Sequence, residues 1–213
     1  MKRAAIGLFI AIILLPAIVL AQDPIKLSIP KIDLGLKLGA NMAQLSGNSW
    51  DNGYKASFLG GIFTGFRAHK MGVQAELFFS QSNYSVQGHD FYDAYSQFYN
   101  NAKDSAKNGA FRVTYMNIPV LFQYKIVPLL WLQIGPQYSG VVSVKDADGL
   151  VKDAKSLFKS GSVSGVIGLE LKLPLHINFG ARYVIGFSDV NATNISGAWQ
   201  EKQLQIHVGY TIL

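Results

Sequence analysis

The sequence predicts an all-β fold, an eight-stranded antiparallel up-and-down transmembrane β-barrel. Three observations lead there. Eight segments place apolar side chains on one face and small or polar ones on the other, with a period of two. The connections between them alternate short and long. The charged fraction, 15%, is well below the roughly 25% of ordinary soluble domains, so something other than water covers part of the surface.

The chain opens MKRAAIGLFIAIILLPAIVLAQ, in which Lys2 and Arg3 precede an apolar stretch from Ala4 to Leu20, and Val19 and Ala21 stand at the small-residue positions before a cut. That is the anatomy of a secretory signal peptide. Residues 1–21 are therefore expected to be removed, leaving 22–213 as one outer-membrane β-barrel domain beginning at Gln22. An uncleaved anchor is the competing reading, and Pro16 breaks the run it would need. With no cysteine anywhere, there is neither a lipidation site nor a disulfide, and the fold must rest on packing and hydrogen bonds. Loss of Lys2 and Arg3 lowers the formal charge from +6 to +4. The remaining charges are scattered, so no nucleic-acid partner is expected.

The first three segments, 31–41, 56–67 and 70–84, reach the 9–11 residues that a tilted strand needs to cross a bilayer. The next stretch, YMNIPVLFQYKIVPLLWLQIGPQY at 115–138, is apolar enough to resemble a membrane helix. Its three prolines exclude that, because each costs about 3 kcal/mol inside a helix. It divides instead around Pro128 into segments 110–126 and 129–144. Ile118, Val120, Phe122 and Tyr124 then share a side opposite Leu121, Gln123 and Lys125, while Leu130, Leu132, Ile134 and Tyr138 oppose Trp131, Gln133, Gly135 and Gln137. The sixth segment, 161–173, sets Val163, Ile167, Leu169 and Leu171 against Ser162, Ser164, Glu170 and Lys172. The seventh, 175–187, sets Ile177, Phe179, Tyr183 and Ile185 against His176, Asn178 and Arg182; in the eighth, 202–213, Leu204, Ile206, Val208 and Tyr210 oppose Gln203, Gln205 and His207.

Segments two and three, four and five, and six and seven are joined by only a few residues, AHK, VP and PL, whereas the other connections are long and polar. Short turns gather at one end and four long loops at the other, the asymmetry of outer-membrane barrels with turns in the periplasm and loops outside the cell. Both termini are then periplasmic. A soluble eight-stranded binder has the same alternation, but it presents charges to water. Here the polar face is diluted by glycine, serine and glutamine, as suits a narrow lumen, and the face rich in Leu, Ile, Val and Phe suits outer-membrane lipid. Tyr84, Tyr115, Tyr124, Tyr138 and Tyr210, near strand ends, are expected to form interfacial girdles.

The segments MNIPVLFQYKI, GPQYSGVVS and INFGARYVIGFSDV resemble the PorT-like outer-membrane β-barrel family common in Bacteroidota, through Ile118-Pro119-Val120-Leu121 with Tyr124, Gly135-Pro136, and Ala181-Arg182-Tyr183. The resemblance implies a signal peptide and about eight strands, and no shared catalytic residue. Many outer-membrane barrels end on an aromatic read by the barrel assembly machinery, a partner expected during biogenesis; this chain has Ile212 in that register and ends on Leu213.

Lumen-facing charges are the first candidate site: Lys37, Glu76, Lys125, Glu170, Lys172 and Arg182, with Glu76, Lys125, Glu170 and Arg182 expected as the lumen polar network. They make either an ion path or a plug of paired charges; the room left by eight strands favours the plug. The second candidate is DFYDAYSQFYNNAKDSAK, where Phe91, Tyr92, Tyr95, Phe98 and Tyr99 recur at helical spacing. These either grip a surface or envelope protein partner, a glycan or lipid, or cap the barrel mouth. No catalytic, cofactor or metal site is expected: His89 beside Asp90, with Ser85 nearby, is a thin basis for a nucleophile and base. The function expected is structural or surface-interacting through extracellular loops; a narrow conduit for small or apolar solutes is the alternative.

Overall fold

The computed structural model describes residues 30–213 apart from 48, 52, 194 and 196. The expected signal peptide lies outside the described residues. Eight antiparallel strands follow one another in chain order and close on themselves: β1 (Lys31–Ser46), β2 (Lys55–Ala68), β3 (Met71–Val86), β4 (Gly109–Val127), β5 (Leu130–Asp146), β6 (Gly161–Lys172), β7 (Ile177–Gly186) and β8 (Gln200–Thr211). β1 pairs with β8 from Gly35↔Thr211 to Ser46↔Gln200, so no edge strand is left unpaired. Closure is what a bilayer demands, since no water is available there to satisfy an open edge.

The strands have the predicted faces because every second residue turns the same way. In β8 the buried Glu201, Gln203, Gln205 and His207 alternate with the exposed Leu204, Ile206 and Val208. Large apolar side chains exposed on the outer wall include Leu38, Phe58, Phe79, Phe122, Ile134, Ile167 and Phe179. Such a contiguous apolar wall is unusable in water.

Glycines in the barrel wall make room for the backbone and side chains of the paired strand beside them. A Cβ on Gly39 would lie 2.1 Å from the Ile206 carbonyl oxygen, and one on Gly180 would lie 2.3 Å from the His207 ring.

Three tight connections gather at one end together with Lys31 and Thr211: residues 69–70, 128–129 and 173–176. Leu129 follows Pro128 with φ +77°, the arrangement of a type II turn, which favours glycine at that position. The other end carries loops 47–54, 87–108, 147–160 and 187–199.

Several strands run further than their sequence segments. β1 continues to Ser46 and β3 to Val86, because Ala43, Leu45 and Val86 pack into a core at the loop end. β5 contains a bulge at Val142: Tyr115 pairs with Val141 while Thr114 pairs with Ser143. The extra residue reverses the facing of everything after it, so Lys145 pairs with the outward Arg112. Simple period-two reading places Lys145 inside.

Candidate functional site

The lumen is filled in layers. Nearest the turns, Asp33 on β1 accepts from Arg67 Nε and, at 2.5 Å, from Arg67 Nη2; Lys172 Nζ lies 3.4 Å from the same carboxylate. Arg67 and Lys172 also lie over the Trp131 ring, each 5.4 Å from its centroid. This layer pins β1, β2, β5 and β6 together.

One step deeper stands a buried charge cluster. Glu76 on β3 accepts two bonds from Arg182 on β7, Nη2 to Oε1 at 2.6 Å and Nη1 to Oε2 at 2.8 Å. It also accepts from Lys37 Nζ at 2.5 Å and from Gln74 Nε2 at 2.6 Å. Arg182 Nε donates to Gln133 Oε1 at 2.7 Å, and Gln133 Nε2 donates to Glu170 at 2.6 Å. Arg182 Nη2 stands 3.7 Å from Glu170 and His207 Nε2 stands 4.0 Å from it. Lys37, Glu76, Glu170 and Arg182 are all almost fully buried. Such charges are tolerable only when paired and hydrogen-bonded, and two cations against two anions satisfy that here.

The structure thus brings Glu76, Glu170 and Arg182 together and adds Lys37, Gln74 and Gln133. Lys125 stays out. It is half-buried beside the turn at residue 128, and among the described residues no ion pair or side-chain hydrogen bond reaches its ammonium. Its inward parity is right, but β4 runs on beyond the lumen's end.

Above the cluster the lumen is lined by uncharged amides and hydroxyls. Asn117 Nδ2 donates to Ser80 Oγ at 2.9 Å, and its Oδ1 accepts from Ser139 Oγ at 2.8 Å and Gln137 Nε2 at 3.3 Å. Higher still, buried Glu201 accepts from Tyr84 Oη and, at 3.3 Å, from Ser82 Oγ. Tyr84 and Tyr115 point inward here and are buried, which removes both from the expected girdles. Their parity requires this, for Tyr84 is in phase with Glu76 and Tyr115 with Gln123. Tyr124, Tyr138 and Tyr210 are on the outer wall.

The loop end is closed by an aromatic core to which all four loops contribute. Trp50 meets Trp199 with ring centroids 4.9 Å apart, Phe91 at 5.6 Å and Phe111 at 5.7 Å; Trp199 meets Tyr95 at 5.7 Å and Phe158 at 5.5 Å. Helix α1 (Gly88–Tyr95) turns Phe91 and Tyr95, spaced four apart, into this core. Tyr99 is buried too. Three of the five loop aromatics, Phe91, Tyr95 and Tyr99, thus bury their rings over the barrel mouth, as the capping alternative requires, and Tyr92 and Phe98 pack against them half-buried. Burial pushes the Tyr99 hydroxyl up to about 12, and the nearby Asp146 and Asp104 charges act in the same sense.

Sequence reasoning missed Trp50, Leu150, Leu157, Phe158 and Trp199. Their signal was present as isolated large apolar residues in loops judged polar as a whole.

Loop 187–199 is organised by Asp189. Its Oδ1 accepts from the backbone N–H groups of Trp199 at 2.8 Å and Asn191 at 2.9 Å, and its Oδ2 accepts from Lys159 at 2.8 Å. Partial burial acts to raise this carboxyl, but the Lys159 bond and the two backbone bonds together hold it below its ordinary value. Ser85 Oγ accepts from Lys55 Nζ at 2.7 Å rather than from a histidine. Among the described residues no group of three or more His, Asp or Glu side chains could hold a metal ion.

No curated protein sequence matches the chain. Among solved structures it is similar to Neisserial surface protein A, with 13% identity, 84% of this chain and 97% of that one covered, and a TM-score of 0.50. It is also similar to Ail, the attachment invasion locus protein of Yersinia pestis, solved with the heparin analogue sucrose octasulfate (12% identity, 85% and 99% covered, TM-score 0.48). A third likeness is OprG from Pseudomonas aeruginosa (14% identity, 85% and 94% covered, TM-score 0.44). The first of these supports the barrel fold. The family model described as outer membrane protein beta-barrel domain matches residues 21–191. The chain belongs to that family, and its closed eight-stranded sheet is an outer-membrane barrel.

Proposed function

We propose that this protein is a closed, non-conducting barrel that holds a rigid loop platform at the cell surface for interaction with other envelope or surface components. The observation that carries the reading is the filled lumen: a four-charge cluster at mid-barrel and an aromatic core at the mouth. Both are built from residues that are almost fully buried. The four loops project outside the cell and both termini lie in the periplasm, an orientation supported by the short turns sharing an end with Lys31 and Thr211. With the aromatics turned inward, the surface offered to a partner is the opposite face of α1 and its continuation, where His89, Asp90, Asp93, Ser96 and Gln97 are exposed.

The narrower PorT-like membership is supported by Pro119 and Pro136. β4–β5 pairing sets Pro119 opposite Gln137, and the ladder is interrupted between this rung and Phe122↔Ile134, where Pro136 lacks an N–H. Absence of turnover is supported by Ser85, whose hydroxyl accepts from the Lys55 ammonium and makes no bond to a histidine among the described residues.

Planar-bilayer recording of the purified barrel tests the reading. The wild type is expected to give no discrete current steps, and cross-linking in intact cells is expected to trap a partner that is lost when His89, Asp93 and Gln97 are replaced together. Regular single-channel currents from the wild type would overturn it in favour of a narrow conduit.

A further inference from the structure

On the outer wall near the loop end, Arg112 of β4 and Lys145 of β5 stand directly opposite one another in the ladder. Like charges in that position repel. The pair exists only because the Val142 bulge reverses the facing of β5, and bulges characteristically re-aim a side chain at a functional place.

Both side chains line a cleft of about 340 Å³ that also includes Lys55, Asn83 and Asp146. The acid there is already engaged. Asp146 accepts from the backbone N–H groups of Asp148 at 3.0 Å, Gly149 at 3.1 Å and Val151 at 2.9 Å. Arg112 donates only its Nε, to Asn83 Oδ1 at 3.1 Å, and Lys145 has no ion pair among the described residues. The terminal guanidinium nitrogens and the ammonium are therefore unneutralised and share one cleft.

Their depth fits a lipid headgroup. Towards the loop end of β4 the outward apolar run stops at Met116, four residues from Arg112. At about 3.3 Å per residue and a tilt of about 40°, Arg112 lies roughly 10 Å beyond the apolar band. The headgroup zone spans about 5–7 Å beyond the hydrocarbon core, since it extends the roughly 30 Å core to about 40–45 Å, so the Arg112 backbone stands just past its outer edge. Both side chains are long enough to reach a phosphate from that position.

We propose that Arg112 and Lys145 bind the phosphorylated headgroup of a lipid in the leaflet that meets the loop end. The phosphate neutralises the facing pair, and the planar guanidinium takes two of its oxygens. This site is independent of whether the lumen conducts.

The test uses the full barrel in detergent and in nanodiscs. Native mass spectrometry with a bis-phosphorylated lipid A is expected to show one retained lipid on the wild type, and binding at least about tenfold weaker for the Arg112→Gln, Lys145→Gln double variant; that change corresponds to about 1.4 kcal/mol. In lipid-free detergent the variant should melt no lower than the wild type, because a repulsion has been removed. Added lipid A should then raise the melting temperature of the wild type alone. Equal retention by both proteins, equal stabilisation by dephosphorylated lipid, or equally tight binding of inorganic phosphate would each overturn the proposal. A variant that melts lower than the wild type before lipid is added would overturn it as well, by showing that the pair is structural.

Discussion

Arg182→Ala removes the cation that joins the two carboxylates of the lumen. The guanidinium makes two bonds to Glu76, at 2.6 and 2.8 Å, and one to Gln133 at 2.7 Å, and it stands 3.7 Å from Glu170. Without it Glu76 keeps Lys37 and Gln74, and Glu170 keeps as its cation only the less buried Lys172, 3.4 Å away, so the fully buried residues of the cluster change from two cations against two anions to one against two. Breaking a buried ion pair from one side costs about 3–5 kcal/mol, because the partner charge remains desolvated. Bonds to charged groups are each worth about 1.5–3 kcal/mol, so three lost bonds would reach that range even if Glu76 partly re-pairs. Taking about 4 kcal/mol and a urea slope of about 3 kcal/mol per molar, the unfolding midpoint in lipid vesicles should fall by about 1.3 M.

The Glu76→Gln, Arg182→Met double variant leaves Lys37 and Glu170 as a balanced pair and should recover at least half of that loss. Heat-modifiable gel mobility gives a parallel readout, and conductance should stay at baseline. A midpoint within about 0.3 M of wild type for Arg182→Ala, or a large conductance increase with unchanged stability, would refute the view that these charges form a structural plug.

Two further outcomes follow from other parts of the barrel. Phe122→Arg, on the outer wall near the middle of the apolar band, should destabilise the barrel in lipid by about 2–4 kcal/mol; a change under about 0.5 kcal/mol in vesicle unfolding would mean that this wall does not meet hydrocarbon. Asp189→Asn should loosen loop 187–199, seen as faster amide exchange at Asn191 and Trp199. Because the Asp189 carboxyl is held below its ordinary 3.8, its contribution is fully present above that pH and is lost as pH falls through the lowered value. Exchange at these amides should therefore accelerate in acid in the wild type and be much less acid-sensitive in the variant.

The predicted barrel and the facing of most residues were legible because a strand's period of two leaves little freedom. Once Glu76 is inside, so is Tyr84, and the same parity places Lys37, Glu170 and Arg182 in one lumen. What parity cannot supply is height. Lys125 has the inward phase, yet lies beyond the charges it was expected to join; whether two residues meet across a lumen depends on stagger between non-neighbouring strands, which is fixed only when the barrel closes. Nor can it anticipate an extra residue such as Val142, which moved Lys145 to the outer wall.

By itself, then, the sequence determined the medium, the strand number and the two faces, since these follow from local alternation and from the scarcity of charge. Tertiary structure alone decided that the loops fold inward. Trp50, Phe91, Phe158 and Trp199 are far apart in the chain, and their rings leave water only by meeting one another over the mouth. Hydrophobic burial is non-directional, so a lone tryptophan in a polar loop carries no local sign of the partners that long-range closure will bring to it.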